Sequence, residues 1–183
     1  MNTGLPFVTI HPVYKHAFTV SEHPEGQLLH LGDALGCDCV MEKYADGWMR
    51  KYKNDGSQNE DWYGWGADVL APFDGMVASI HINPVTNEPG KISETRASSI
   101  LFAGKDDIRV CYAHVADLKV KTGDSVKAGD VVATVGNNGY SRHPHIHVGA
   151  WKGNRPLQIR FDLKAMGQHL KELGDEKYFC PND

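Results

Sequence analysis

The sequence predicts a mostly β fold, an antiparallel sheet of the barrel-sandwich hybrid type with long loops and a C-terminal helix. Short runs rich in Val, Ile, Phe and Tyr recur along the chain, separated by Gly, Asn, Asp and Pro, a pattern typical of strands joined by turns. Only one segment has the period of an amphipathic helix. Two long polar stretches between strands are predicted to be loops.

Composition indicates a soluble globular chain. Hydrophobic residues make up 41% and charged residues 23% of 183 residues, which suffices for one domain with a substantial core. A formal net charge of -4 and a pI near 6.2 give no electrostatic reason to expect nucleic acid or an anionic membrane as partner. No apolar run approaches the roughly 18 residues of a membrane span. The first residues lack the basic start and apolar stretch of an export signal.

The predicted strands are short, apolar and bounded by turn residues. They are Phe18–Val20, Asp68–Leu70, Gly75–Ile82, Ser99–Ala103, Asp107–His114, Val131–Val135 and His145–Trp151.

The predicted helix covers about residues 161–174. Apolar Leu163, Met166, Leu170 and Leu173 recur at steps of three and four residues, so we expect this stripe to pack on the sheet. Asp162 is a candidate N-cap, and Gly174 is a plausible stop.

Two stretches are predicted to be loops, residues 41–66 and 83–98. Both are polar and rich in turn residues, and the first carries Trp48, Trp62 and Trp65. Long loops in a compact domain are usually binding loops or lids, or are disordered. The tryptophans favour an ordered first loop, which either walls a groove for an extended peptide or is simply pinned to the body of the protein.

Four cysteines are too few to describe a disulfide scaffold. Cys37 and Cys39 point the same way from an extended strand, a geometry that suits no easy bridge between them. We interpret them as buried thiols, with a disulfide to Cys111 or Cys180 as an alternative. A zinc site built on Cys37 and Cys39 is a minor alternative, because no second thiol pair is in register.

Candidate chemistry is concentrated in histidines. His143, His145 and His147 alternate in SRHPHIHVGA, directly after the glycine loop GNNGYS, and period two places them on one face of a strand. Imidazoles at this spacing can share one metal ion, or one can bind the metal while another faces a substrate.

The segments on either side are also patterned. CYAHV places His114 at the end of a predicted strand, and the following stretch has Gly-Asp turns after valine-rich runs. VLAPFDGMV has the same strand–turn–strand character. Alone, these patterns predict a barrel-like β fold and no chemistry.

Together and in this order, these segments resemble the lysostaphin- and LytM-like zinc endopeptidases, which cleave peptide bonds in bacterial peptidoglycan. VLAPFDGMV, CYAHV and VKTGDSVKAGDVVATVGNNGYSRHPHIHV carry the resemblance, except that Val115 stands where the family usually has leucine. The match covers about residues 30–152, the expected catalytic core, between N-terminal strands in 1–29 and the C-terminal helix. We expect residues 1–183 to form one metallopeptidase domain.

The resemblance implies a bound Zn²⁺ and assigns roles to matching residues. His147 matches a zinc ligand, and His114 and His145 match the catalytic pair. The family's upstream ligands stand in a His-x-Gly-x-Asp motif, which is absent here. We therefore assign the remaining ligands to His30 and Asp38.

The aspartate ligand has three candidates. Asp33 lies three residues after His30, one short of the family's common spacing, whereas Asp38 lies in an alternating segment that resembles a strand entering the core. Asp38 is favoured because a rigid strand suits a carboxylate ligand. Asp61 is a distant third, with a loop hydrogen bond as its expected role.

The resemblance implies that two imidazoles and one carboxylate hold the zinc. A fourth coordination position then stays open for a water, which becomes a usable hydroxide. No His-Glu-x-x-His helix supplies a glutamate base, so His114 and His145 take that work, one as base and one stabilising the oxyanion. Which residue takes which role is open.

The other histidines, His11, His16, His23, His81 and His169, are interpreted as surface or packing residues, while His143 is a candidate for the rim of the cleft. The resemblance implies a peptide or peptidoglycan substrate and a location in the cell envelope or outside the cell. The first residues show no export signal, so a cytoplasmic location is kept as an alternative. Two other functions are considered: a metal-free relative acting as a binding or activator module, and a carrier or phosphotransfer module.

Overall fold

One large antiparallel sheet organises the chain in the computed structural model, which describes residues 4–174. In chain order the strands are β1 Phe7–Ile10, β2 Phe18–Glu22, β3 Cys37–Met41, β4 Lys43–Ala45, β5 Trp48–Arg50, β6 Asp68–Leu70, β7 Gly75–His81, β8 Ser99–Ala103, β9 Ile108–Ala113, β10 Val115–Ala116, β11 Ser125–Val126, β12 Val131–Val135, β13 Ile146–Lys152, β14 Arg155–Pro156 and β15 Gln158–Phe161. The large sheet has the order β11-β7-β8-β9-β13-β3-β2, with β14 paired to β13.

A second, three-stranded sheet has the order β10-β12-β6. Valines from both sheets belong to one apolar core, among them Val77 and Val110 from the large sheet and Val69, Val115 and Val132 from the small one. Burial of β-branched side chains between two sheets is the main stabilising term of such a sandwich. The predicted fold class is confirmed.

The predicted strands agree with the observed ones to within one or two residues. Asp68–Leu70, Ser99–Ala103 and Val131–Val135 coincide with the prediction. These are short apolar runs between turn residues, where the sequence signal is strongest.

The helix α1 spans Leu163–Glu172, and Asp162 caps it as predicted. One Asp162 carboxylate oxygen accepts hydrogen bonds from the backbone N–H groups of Lys164 and Ala165. The prediction that the apolar stripe packs on the sheet is wrong in part, because no residue of α1 is fully buried and Leu163 is 75% exposed. Leu163 stands in the first turn of the helix.

The long polar stretch 41–66 is more regular than predicted. It contains the β4–β5 hairpin and a 3-10 turn at Asn59–Asp61, and the ring of Trp62 lies 4.9 Å from that of Tyr52. Residues 83–98 contain no helix or strand, as predicted.

The cysteines Cys37, Cys39 and Cys111 are free thiols, and the first two are buried in the core. The alternative of a disulfide to Cys111 is therefore wrong, and Cys180 lies outside the described residues. Within residues 4–174, no helix has the length and apolar character needed to cross a membrane.

Candidate metal and catalytic site

Asp38 and His147 lie opposite each other on neighbouring antiparallel strands. β13 pairs with β3 so that His147 is in register with Asp38. Cys37 and Cys39, on either side of Asp38, fill the core, and alternation along the strand turns Asp38 to the other face. Asp38 Oδ1 lies 2.9 Å from His147 Nδ1. Two rigid strands therefore hold a carboxylate and an imidazole together.

His23 completes a cluster of three. β2 pairs with β3 so that Glu22 faces Cys37, which brings the next residue, His23, beside Asp38. His23 Nε2 lies 3.7 Å from Asp38 Oδ2, and its ring stacks on that of His147 at 5.3 Å. One ligand atom from each of His23, Asp38 and His147 lies within 4.8 Å of the others, so these residues could hold a metal ion.

His30 is not brought into this cluster. It is exposed, and its carbonyl accepts hydrogen bonds from the backbone N–H groups of Asp33 and Ala34 in the turn between β2 and β3. Spacing in a linear motif pointed to His30, whereas the antiparallel pairing of β2 with β3 returns His23 to the site. From the sequence, His23 is interpreted as a surface or packing residue. The linear sequence does not show the pairing of β2 with β3, which is what brings His23 to the site.

The hydrogen bonds of His23 and His147 are compatible with a cation bound between these rings and Asp38. His147 Nε2 lies 2.8 Å from the Gly32 carbonyl and its Nδ1 faces Asp38. A neutral imidazole has one N–H, so it can satisfy only one of these two acceptors. With the proton on Nε2, the Nδ1 lone pair faces the carboxylate, an arrangement that a bound cation stabilises. His23 follows the same rule, since its Nδ1 lies 3.1 Å from the Asp33 carbonyl, which leaves Nε2 to face Asp38.

These carbonyl contacts are the usual supports of metal-binding histidines, because they fix the tautomer and the ring orientation. The residues present therefore fit a divalent metal with two imidazoles and one carboxylate.

The electrostatics of Asp38 agree with this, whereas those of His147 favour the protonated ring when no metal is bound. Burial opposes ionisation of Asp38, but hydrogen bonds from His145 and His147 outweigh it and hold the pKa of the carboxyl well below its usual range. Burial also lowers the pKa of His147, but the contacts with Asp38 and the Gly32 carbonyl prevail and raise it. The carboxylate is therefore charged at neutral pH, as a metal ligand must be.

Asp33 approaches the same histidine from the other side. Its Oδ1 lies 3.4 Å from His147 Nε2, the ring nitrogen opposite the one that faces Asp38. A carboxylate there cannot share a metal ion bound at Nδ1. Asp61 accepts hydrogen bonds from Asn54 and the Gln58 backbone within its own loop.

His114 stands at the end of β9, next to the strand that carries His147. Ala113 pairs with His147, and His114 follows with a left-handed φ of 67°, an uncommon conformation for a residue other than glycine. Its Nδ1 donates to the Asn138 carbonyl at 2.8 Å, which leaves Nε2 as the lone-pair nitrogen. Burial, reinforced by the neighbouring His145, lowers the pKa of His114 to about 3.

His145 lies between His114 and Asp38. Its ring centroid is 4.6 Å from that of His114, and its Nε2 is 3.5 Å from Asp38 Oδ1. Its Nδ1 donates to the His143 carbonyl at 2.8 Å. The structure thus brings both predicted catalytic histidines to the edge of the cluster, each with one nitrogen anchored to the backbone.

His143 connects this pair to the tryptophan-rich loop. The Trp62 indole lies parallel to the His143 ring, with centroids 4.4 Å apart, and its Nε1 donates to the Gly56 carbonyl. His143 also accepts, through its carbonyl, the hydrogen bond that orients His145. Trp62 therefore supports His145 through one intervening residue.

A cleft of about 580 Å³ opens over the cluster. Its walls carry the histidines His23, His114, His143, His145 and His147. Arg96, Arg142 and Tyr140 add cationic and aromatic groups. Such a cleft has room for a short stretch of peptide.

Comparison with known proteins places the chain in a family. The model of peptidase family M23 matches residues 63–159, more than half of the chain. This range contains His114, His145 and His147 but not His23 or Asp38, whose place in the site rests on strand pairing.

Curated relatives match a similar part of the chain. Glycyl-glycine endopeptidase ALE-1 of Staphylococcus capitis is 46% identical over 125 residues, covering 60% of this chain and 32% of the relative. Lysostaphin of Staphylococcus simulans is 30% identical over 123 residues, covering 59% of this chain and 23% of the relative. The chain spans less than a third of the length of the curated relatives it matches.

Solved structures share the fold. The catalytic domain of the prophage-encoded M23 protein EnpA from Enterococcus faecalis superposes with a TM-score of 0.51 at 20% identity, over 80% of this chain and 92% of that chain. A zinc-containing peptidase from Vibrio cholerae superposes with a TM-score of 0.50 at 19% identity, over 85% of this chain and 38% of that chain.

The chain is therefore a β-sandwich with an Asp–His cluster and two further histidines at one cleft, and its family match is to a peptidase family. The chain belongs to peptidase family M23.

Proposed function

We propose that this chain is a zinc-dependent endopeptidase that hydrolyses peptide bonds in bacterial peptidoglycan, in the cell envelope or outside the cell. The observation that carries the proposal is the joining, in one cleft, of a metal-type cluster and two further imidazoles, each anchored to the backbone through Nδ1. The names of the staphylococcal relatives, an endopeptidase of glycyl-glycine bonds and lysostaphin, support the substrate class.

In this proposal the metal ligands are His23, Asp38 and His147. His23 replaces His30 in the set expected from the sequence, because His30 is exposed in the turn and His23 is within 3.7 Å of Asp38. When bound, zinc polarises a peptide carbonyl and lowers the pKa of a coordinated water.

His145 is the proposed general base. Its Nε2 carries the lone pair, and Asp38 at 3.5 Å stabilises the imidazolium formed when it takes a proton. A positioned base contributes about 10²- to 10⁴-fold to the rate.

His114 is the proposed second catalytic residue. Because its pKa is lowered to about 3, it stays neutral near pH 7 and its Nε2 accepts a hydrogen bond from the attacking water or the substrate amide. This hydrogen bond orients the reacting groups.

The test combines zinc content with cleavage of a glycine-rich peptide and of purified peptidoglycan. We expect Asp38→Ala and His147→Ala each to bind less zinc than wild type and to lose activity, and Asp33→Ala to bind as much zinc as wild type. His145→Ala and His114→Ala should keep zinc while activity falls at least about a hundredfold. Wild-type protein that binds zinc but cleaves neither substrate would instead support a binding or activator module.

A further inference from the structure

A second pair of histidines, His11 and His169, lies at the junction of β1 and α1, and neither lines the cleft. β1 and β15 pair in parallel, with Ile10 in register with Phe161. His11 therefore follows the end of one strand and α1 follows the end of the other. The Asp162 N–H donates to the Ile10 carbonyl at 2.8 Å, which fixes the start of the helix beside His11.

His169 projects from the last turn of α1 onto His11. The two rings meet edge to face with centroids 5.0 Å apart, and their Nε2 atoms are 3.2 Å apart. Two nitrogens each bound roughly 2.0–2.1 Å from one tetrahedral zinc are about 3.3–3.4 Å apart. The observed spacing is thus close to that of two ligands of a single ion.

The other ring nitrogens agree with this assignment. His11 Nδ1 donates to the Pro12 carbonyl at 3.0 Å, so its Nε2 carries the lone pair. Among residues 4–174, His169 Nδ1 is buried with no hydrogen-bond partner, and a carboxylate oxygen of Glu172 lies 3.9 Å away.

Without a metal, His169 Nε2–H donates to His11 and its Nδ1 stays unsatisfied, which is costly for a buried polar atom. With a metal at Nε2, the proton moves to Nδ1 and faces Glu172. A carboxylate behind a metal-bound imidazole is a common support of such ligands.

The protonation state of His169 also favours the binding of a metal ion. Burial lowers the pKa of His169, and His11 and Lys15 lower it further, against the opposing effect of Glu172. A neutral imidazole is the form that binds a metal. Lys15 adds positive charge nearby, which weakens the attraction for a cation without blocking the two nitrogens.

We propose that His11 and His169 form a second, structural site for a divalent transition-metal ion such as Zn²⁺, which pins α1 to the end of β1. Both rings are partly exposed, so water fills the remaining coordination positions. This site is separate from the metallopeptidase site and does not depend on catalysis.

The test is zinc binding by the full, metal-depleted chain, measured by equilibrium dialysis with mass-spectrometric metal analysis. An Asp38→Ala background silences the proposed catalytic site. In that background we expect one zinc per chain, and His169→Gln or His11→Gln should weaken its binding at least about tenfold. His81→Gln removes a half-buried imidazole on β7 and should leave binding unchanged. Glu172→Gln should weaken binding by about tenfold, the lower end of the range for such supports.

Hydrogen exchange gives a second readout that does not involve activity. Zinc should slow amide exchange in α1 of the Asp38→Ala chain but not when His169→Gln is added. Equal zinc binding with and without His169→Gln, or no zinc at all in the Asp38→Ala chain, would overturn the second site. An Asp38→Ala chain that binds as much zinc as wild type would instead contradict the proposed catalytic metal site, so the two failures are distinguishable.

Discussion

His147 Nε2 lies 2.8 Å from the carbonyl oxygen of Gly32. This contact joins the strand β13 to the turn between β2 and β3, and it sets which nitrogen of His147 faces Asp38. The turn approaches β13 very closely, since a Cβ atom placed on Gly149 would lie 1.7 Å from the same Gly32 oxygen. Only glycine at position 149 leaves room for the carbonyl.

Replacing this glycine should therefore disturb the metal site without touching a ligand. Gly149→Ala forces the turn to move, so we expect a loss of about 1–3 kcal/mol in the free energy of unfolding. Zinc affinity should fall about 10- to 100-fold because His147 loses its support. Denaturant unfolding and zinc titration measure the two effects.

Gly167→Ala is the matched control. A Cβ there meets nothing within 4 Å, and alanine favours helix over glycine by about 0.8–1.0 kcal/mol. We expect equal or greater stability and unchanged zinc affinity. Zinc affinity that survives Gly149→Ala would show that the Gly32 carbonyl does not orient His147.

The choice between the two upstream histidines gives a second prediction. His23→Ala should reduce bound zinc, because it removes an imidazole 3.7 Å from Asp38. His30→Ala should leave zinc content and activity unchanged, because His30 is exposed outside the cluster. Metal analysis of both purified variants distinguishes the two, and the reverse result would restore the ligand set expected from the sequence motif.

The stack of Trp62 on His143 gives a third prediction. Trp62→Ala removes the ring 4.4 Å from His143 and loosens the carbonyl that orients His145, so kcat should fall about tenfold with zinc content unchanged. Trp62→Phe, which keeps an aromatic ring, should restore most of the rate.

Trp48→Ala is the control, since that side chain is 72% exposed and should have no effect. Steady-state kinetics on a glycine-rich peptide provide the measurement. Equal rates for Trp62→Ala and wild type would mean that the stack has no part in positioning His145.

The burial of His114 gives a prediction about pH. Burial lowers the pKa of His114 in the folded chain from its ordinary value of 6.5 to about 3. Because the unfolded chain takes up the proton at the higher pH, the contribution of His114 to stability is fully present above pH 6.5 and is lost as the pH falls towards 3.

His114→Asn removes this pH-dependent contribution to the free energy of unfolding. For metal-depleted protein, the difference in free energy of unfolding between wild type and His114→Asn should therefore shrink by about 2 kcal/mol or more between pH 6.5 and pH 4. Denaturant titrations across this range measure it. A difference that stays constant with pH would mean that His114 is protonated to the same extent in both states.

The sequence by itself located seven of the strands and several of the residues in the cleft. Apolar runs between turn residues located β6, β8 and β12, because local patterning and turn chemistry suffice for short strands. The alternation of His145 and His147 and the strand ending at His114 identified three residues that line the cleft together. The alternation of Cys37, Asp38 and Cys39 likewise identified an aspartate directed away from the core.

Only the tertiary structure decided what joins these residues. His23 and Asp38 are 15 positions apart in sequence, and it is the pairing of β2 with β3 that brings His23 Nε2 to 3.7 Å from Asp38. The support of His147 by the Gly32 carbonyl and the meeting of His11 with His169 likewise depend on strand register. Strand register is set by the long-range packing of the two sheets. The local spacing that pointed to His30 contains no information about that register.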